Sequence, residues 1–295
     1  MARRKPATTH GLCIVDKPAG VTSHDVVGML RKRFGERQVG HAGTLDPDAT
    51  GVLVVAVGMS TKLLRFVEKT TKRYVGEVVL GVETSTLDAA GVVTATHDME
   101  PVTVGEAQAV VDAHLTGQIE QIPPMVSAIK IDGRRLHELA REGKEVDRPP
   151  RSVTVHEFTI TGQPEPATLS VEVLCSSGTY VRTLAADLGH LLGGGAHLRN
   201  LRRTAVGEFT IAEAAAPSEC ELLPVEAAVR GLARVPADTN LARLVADGRV
   251  LPRPPEMGDG PWAVFGPGDQ LIAVYEAFGE AEAKPSVVLP TASAR

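Results

Sequence analysis

Apolar and polar positions along the chain fall into blocks that read as alternating strands and helices. Residues 11–20 predict a short buried strand ending in a Pro-Gly turn. Thr22-Ser23-His24-Asp25 then offers an N-cap. Val26, Val27, Leu30 and Phe34 follow on one helical face, with Arg31, Lys32 and Arg33 on the other. Residues 52–58 form an apolar run that fits a fully buried strand or the start of a buried helix, since periodicity cannot separate the two over so short a stretch. Further on, 60–67 fits a capped helix and 75–81 a strand. Residues 103–115 fit a helix opened by a capping box of Thr103 and Glu106, and 169–175 alternates as a strand before a helix that runs through Leu192. Residues 212–238 are rich in Ala, Glu and Pro and read as a linker. Residues 241–290 hold short strands between Gly and Pro turns, such as Trp262–Phe265 and 271–275.

The densest chemistry lies between two of these blocks. Val39-Gly40-His41-Ala42-Gly43-Thr44-Leu45-Asp46-Pro47-Asp48-Ala49-Thr50-Gly51 places a histidine and two carboxylates on a Gly- and Pro-containing loop just before the apolar run. A polar loop anchored to a buried element is where reactive side chains are held yet remain reachable. Asp46 is the leading candidate there, and a turn or helix cap built on Asp46 or Asp48 is the competing reading.

Composition narrows the classes. With 295 residues, 43% hydrophobic and 23% charged, the chain can bury a sizeable core without a metal or disulfide framework. Cys13, Cys175 and Cys220 are far apart and form no C-x-x-C pair, which argues against structural zinc and for a reducing cytoplasm. No apolar stretch is long enough to span a membrane, and no apolar core of a signal peptide follows the basic N-terminus. Net charge is −5, but residues 1–75 hold 13 Lys and Arg against 6 Asp and Glu, leaving 18 against 30 in the remainder. A basic portion on an acidic protein is the asymmetry expected when one face meets a polyanion.

Several strings occur together that resemble the motifs of the TruB family of tRNA pseudouridine synthases. The loop matches G-H-x-G-(T/A)-L-D-P, and Lys72-Arg73-Tyr74 resembles the family's second motif. The string from Ile122 to Lys130 resembles I-P-P-x-(F/Y)-S-A-x-K, with Val126 where an aromatic is common. The string from Cys175 to Leu184 matches C-S-x-G-T-Y-(I/V)-R-(T/S)-L, and Gly193 to Arg203 resembles G-x-x-A-x-(L/V)-x-x-L-R-R. The segment Thr84-Ser85-Thr86-Leu87-Asp88-Ala89-Ala90-Gly91 also has a family counterpart, but loop structure is its default reading. The resemblance implies that Asp46 is the catalytic carboxylate, that Arg182 pairs with it, and that Tyr74 stacks on the target base. It also implies that Tyr180 and Leu201 wall the uracil pocket, that His41 stacks within the rearranged RNA loop, and that Lys17 of the K-P-x-G turn lies near the cleft as an RNA contact. An exposed turn lysine is the alternative for Lys17. Arg202 and Arg203 suit phosphate contact or strand solubility equally.

The expectations are then an α/β (α+β) pseudouridine synthase fold with a mixed, largely antiparallel central sheet flanked by helices, over residues 8–211. A basic, thumb-like insertion lies at about 126–151, followed by the linker at 212–238 and a small β-rich PUA-like domain at 239–295. The implied activity is isomerisation of uridine to pseudouridine at position 55 in the T loop of tRNA, by base flipping. It needs no metal and no cofactor, consistent with the lack of a P-loop or G-x-G-x-x-G string. The implied partner is the tRNA T-arm, met by a cytoplasmic monomer with no obligatory protein partner and no membrane. A guide-RNA-dependent synthase and a non-catalytic RNA-folding protein are the alternatives. A glycoside hydrolase would need a second cleft carboxylate, and Asp48, two residues away on the same turn, is badly placed for it.

Overall fold

The computed structural model describes residues 7–127, 130–131, 134–136, 142, 144, 146–253 and 258–290. A nine-stranded sheet forms its centre. Its strands are β1 (Gly11–Lys17), β2 (Val39–Ala42), β3 (Thr50–Val57), β4 (Lys72–Leu80), β7 (Gly117–Gln121), β10 (Arg151–Glu165), β11 (Thr168–Cys175), β12 (Ala196–Val206) and β13 (Phe209–Thr210). The order is β1-β3-β12-β4-β11-β10-β7, with β2 beside β3 and β13 beside β12. Each pairing is antiparallel except β12 with β3, so the sheet is mixed and largely antiparallel, as expected. Two small hairpins, β5 (Val82–Thr84) with β6 (Val93–Thr96) and β8 (Lys130–Ile131) with β9 (Arg134–Arg135), stand apart from it. The basic, thumb-like insertion expected at about 126–151 falls in part outside the described residues.

The 52–58 run resolves as strand β3, buried along nearly its whole length because neighbouring strands and helices cover both of its faces. Helix α1 (Ser23–Phe34) starts at a capping box. Asp25 N–H donates to Thr22 Oγ1 at 3.0 Å, and Thr22 N–H donates to Asp25 Oδ2 at 2.8 Å. It buries Val26, Val27 and Leu30 against β1 and β3. The predicted capped helix at 60–67 is a 3-10 turn, Gly58–Leu63, followed by the short helix α2 (Leu64–Glu68), and no side chain caps either. Helices α3 (Val104–His114) and α4 (Val181–Leu191) pack on the face of β4, β10 and β11, where Val111, Phe158, Val173 and Leu184 share one core.

Residues 212–238 run along the outer edge of β1. Leu12 and Leu223 exchange backbone hydrogen bonds of 3.0 and 2.7 Å, Ala215 bonds to Ile14 and Asp16, and Cys220 is buried against α1. Part of that stretch, β14 (Ala233–Pro236), opens a second sheet of order β14-β16-β17-β18-β15. The other strands are β15 (Leu251–Pro252), β16 (Trp262–Phe265), β17 (Leu271–Phe278) and β18 (Glu282–Val288), with helix α5 (Thr239–Ala246) alongside. Phe265, Leu271 and Val274 of this sheet join Leu12, Val54 and Phe66 in one apolar cluster. The described residues contain no helix long and apolar enough to cross a membrane.

Candidate active site

Asp46 sits on the loop between β2 and β3, and buried polar side chains hold that loop from several sides. Lys17, fully buried at the end of β1, donates from Nζ to the carbonyls of Pro18 (2.8 Å), Val21 (2.7 Å) and Pro47 (2.8 Å). Ser23 Oγ accepts from Leu45 N–H at 2.9 Å and donates to Leu45 O at 3.1 Å. Arg203, also buried, donates from Nη2 to Gly43 O at 3.0 Å and from Nε to Val52 O at 2.7 Å. Gly43 takes a φ of 82°, a left-handed turn suited to glycine. Leu45 and Ala49 anchor the loop in the core, and the Asp46 side chain, 38% exposed, points into a cleft.

Arg182 reaches the same point from the first turn of α4. That helix is positioned through Tyr180, whose N–H donates to Gln121 Oε1 at 3.0 Å. The guanidinium grips Asp46 in a fork, Nε to Oδ2 at 3.0 Å and Nη2 to Oδ1 at 3.1 Å. Nη2 also donates to Val126 O at 2.9 Å and Nη1 to Thr86 O at 2.8 Å, and Nη1 lies 3.4 Å from the Asp88 carboxylate. Asp88 is itself fixed by Thr86 Oγ1 at 2.5 Å and Ala90 N–H at 3.2 Å.

Burial pushes the Asp46 carboxyl above its ordinary range, Arg182 pulls it back, and Asp88 adds to the rise. The pairing with Arg182 that the resemblance implies supplies the second of these influences, and burial of the loop supplies the first. The pair forms the wall between two hollows. The larger, about 500 Å³, is lined by Asp46, Tyr74, Tyr180, Arg182 and Leu201, with Arg65 and Lys69 at its edge. That volume suits a ligand of nucleoside size. The smaller, about 230 Å³, lies on the other side and is lined by Asp48 and Asp88 as well as Asp46 and Arg182. Asp48 thus faces away from the larger hollow.

Five of the seven residues singled out in the sequence meet at the larger hollow. Tyr74 stands on β4 beside Arg203, its phenol raised by burial, and Tyr180 contacts Ser127 from the opposite wall. Lys17 does not join them. Its ammonium is spent on three carbonyls beneath the Asp46 loop, so it is neither an exposed turn lysine nor placed to touch RNA. His41 lies on β2 opposite Val55, outside the lining of either hollow. Burial and nearby Arg203 lower its imidazole, so the ring is neutral at pH 7. The phosphate reading of the arginine pair does not fit either: Arg203 is buried, and Arg202 forks onto Asp16 at 3.1 and 2.8 Å. Asp88 was missed as a site residue. Its only signal was the T-x-T-x-D string, which does not say what the carboxylate touches.

Comparison with known proteins gives the class of this fold and its arginine-held carboxylate, a pseudouridine synthase. The sequence profile of the TruB family pseudouridylate synthase N-terminal domain matches residues 31–181, and that of the tRNA pseudouridylate synthase B C-terminal domain matches 182–230. The chain is 46% identical to tRNA pseudouridine synthase B of Rhodococcus jostii (strain RHA1), over 98% of each chain. It is 43% identical to that of Arthrobacter sp. (strain FB24), over 94% of this chain and 96% of the relative. Among solved structures, a chain of a Cbf5-Nop10-Gar1 complex shares the fold, with a TM-score of 0.72 at 24% identity over 95% of this chain and 84% of that one. The protein belongs to the TruB family of pseudouridylate synthases.

Proposed function

We propose that the protein converts uridine to pseudouridine in tRNA, at position 55 of the T loop. The observation that carries this reading is the forked Asp46–Arg182 pair on the wall of a hollow of about 500 Å³, between Tyr74, Tyr180 and Leu201. Relatives named tRNA pseudouridine synthase B support the choice of substrate.

The reaction breaks the N1–C1′ bond, turns the uracil while it is held, forms a C5–C1′ bond and moves the C5 proton onto nitrogen. It is mass-neutral and redox-neutral, so a positioned carboxylate suffices. Asp46 acts either at C1′ or C6 as a nucleophile, or at the sugar by stabilising charge and moving a proton. A uridine stacked in an RNA loop must first be extruded into the hollow. There Tyr74 stacks on the base, Tyr180 and Leu201 confine it, and Arg182 orients the carboxylate. His41 stacks within the rearranged RNA loop, and Lys17 acts indirectly by setting the position of the Asp46 loop. The division into a catalytic region at 8–211, a connecting segment at 212–238 and a PUA-like C-terminal domain at 239–295 belongs to the same proposal, as does a cytoplasmic monomer acting without protein partners.

The test is incubation of the purified protein alone with an unmodified tRNA transcript, with pseudouridine mapped by carbodiimide labelling. A single labelled position in the T loop is expected. Labelling that requires an added guide RNA or partner protein would overturn the reading.

A further inference from the structure

Between Arg31 and Arg73 the chain carries nine Lys and Arg against four Asp and Glu, and the proposed chemistry uses none of these cations at the reacting atoms. Several are committed elsewhere. Arg65 pairs with Glu276 at 2.7 Å, and Arg73 with Glu157 and Glu172 at 3.0 and 2.7 Å. Lys32, Arg37, Lys62 and Lys69 are exposed and have no ion-pair partner among the described residues.

They are not scattered. Lys32 and Arg37 stand in an open groove of about 1210 Å³ between the last turn of α1 and β2, with Val39 and Gly40 on one side and Thr61 on the other. Lys62 follows Thr61 directly, and Lys69 sits at the cleft. Groove and cleft are successive hollows along the same two elements. One strand passes from Gly40 in the groove to Gly43 in the cleft, about 10 Å at strand rise, and the parallel path runs from Thr61 to Arg65. The groove's carboxylate, Glu36, is turned into its own wall. It accepts from the backbone N–H groups of Thr8 at 3.0 Å and Arg37 at 2.9 Å, which leaves the cations dominant.

The groove is too open and too large for a metabolite and suits the edge of a polymer. We infer that it seats the phosphate backbone of the base-paired stem that closes the substrate loop. This inference rests on the uridine-isomerising reading of the cleft. With loop nucleotides in the larger hollow, the stem must leave across one rim, and a rim with unpaired cations lies on this side. Apart from residues 1–75 and the basic insertion at 126–151, the chain carries the acidic excess, 25 Asp and Glu against 11 Lys and Arg, and offers a polyanion less attraction. A double-stranded RNA stem is recognised through phosphates and shape, which unpaired Lys and Arg side chains supply without sequence preference.

The experiment compares wild type, K32E/R37E and the charge-retaining K32R/R37K on two RNAs, a T-arm hairpin and the same loop without its stem. Binding is read by fluorescence anisotropy across a salt series, and turnover by carbodiimide mapping. For K32E/R37E on the hairpin, Kd and KM rise on the order of tenfold, the slope of log K against log salt falls by about 2, and kcat is unchanged. K32R/R37K behaves as wild type, and the stemless loop is bound equally by all three proteins. If K32E/R37E does not fold, K32Q/R37Q replaces it. An unchanged Kd and slope on the hairpin, or an equal loss on the stemless loop, would overturn the inference. Wild type that binds the hairpin with the expected slope yet makes no pseudouridine would instead sink the reading of the cleft and leave the groove's role standing.

Discussion

Lys17 Nζ donates to the carbonyl oxygen of Pro47 at 2.8 Å, one residue past Asp46, and that lysine is wholly shielded from water. A cation at the end of β1 thus fixes the loop that carries the proposed catalytic acid. Lys17→Met leaves the carbonyls of Pro18, Val21 and Pro47 without this donor, at about 1–3 kcal/mol for each buried group left unpaired. The expected result is a lower urea midpoint together with a reduced kcat. An active, fully stable variant would show that the strut is dispensable.

Asp46→Asn keeps the size of the side chain but removes the charge and turns one acceptor of the Arg182 fork into a donor. RNA binding should persist while turnover falls by a factor on the order of 10⁴ to 10⁶. In the wild type, kcat should decline as pH drops through the Asp46 pKa, because the ionised form is the active one. Burial places that acid limb above the ordinary value of 3.8. Single-turnover rates across a pH series locate the limb.

Arg182→Lys retains a positive charge but cannot reproduce the fork on Asp46 and the contacts to Thr86, Val126 and Asp88 together. A loss of roughly 10²-fold in kcat is expected, with a lower melting temperature because buried acceptors lose their donor. Kinetics equal to wild type would remove the guanidinium geometry from the mechanism.

Lys72, buried in the cleft wall with Nζ donating to the carbonyls of Glu68 and Thr70, has its pKa lowered to about 8, chiefly by burial. The unfolded chain therefore binds more protons than the native one between about pH 8 and the ordinary value of 10.5. Stability contributed by this group rises with pH across that window, by up to about 3 kcal/mol. Urea titrations should show wild type gaining on Lys72→Met over the window. A constant difference would refute the shift.

Gly51 holds a φ of +101°, and a Cβ there would lie 2.1 Å from the carbonyl oxygen of Arg203. Gly51→Ala should destabilise by about 2–4 kcal/mol through strain and clash. Gly20→Ala is the control, since Gly20 has a φ of +80° but open space around it. It should cost only about 1 kcal/mol.

What the chain disclosed in advance was what local pattern or contiguous motif can encode. The apolar run at 52–58 left strand and helix open, but its burial was legible, and the capping boxes of Thr22 with Asp25 and Thr103 with Glu106 depend only on neighbours three apart. The Asp46–Arg182 pair, separated by 136 positions, was reachable only through resemblance, because nothing in periodicity brings β2 and α4 together. The fates of Lys17, Arg203 and Asp88 were not legible. Lys17 and Arg203 end on backbone carbonyls, and a carbonyl has no signature in a sequence, while Asp88 meets Arg182 from a distant helix. Residues 212–238 read as a linker because their composition is polar and Pro-rich, while their contacts with β1 are main-chain hydrogen bonds that composition does not record.

The Arg182 guanidinium is held from several sides at once, by hydrogen bonds to Asp46 and to the carbonyls of Thr86 and Val126 and by ion pairing with Asp46 and Asp88. Three of its five N–H hydrogens are spent on Asp46, Thr86 and Val126, and both neighbouring carboxylates hold its charge in place. It therefore serves as an immovable anvil, unable to swing out and greet an arriving phosphate. If the nucleotide displaces one Asp46 oxygen, three anchors still clamp the arginine, so the acid alone is free to shift during the reaction.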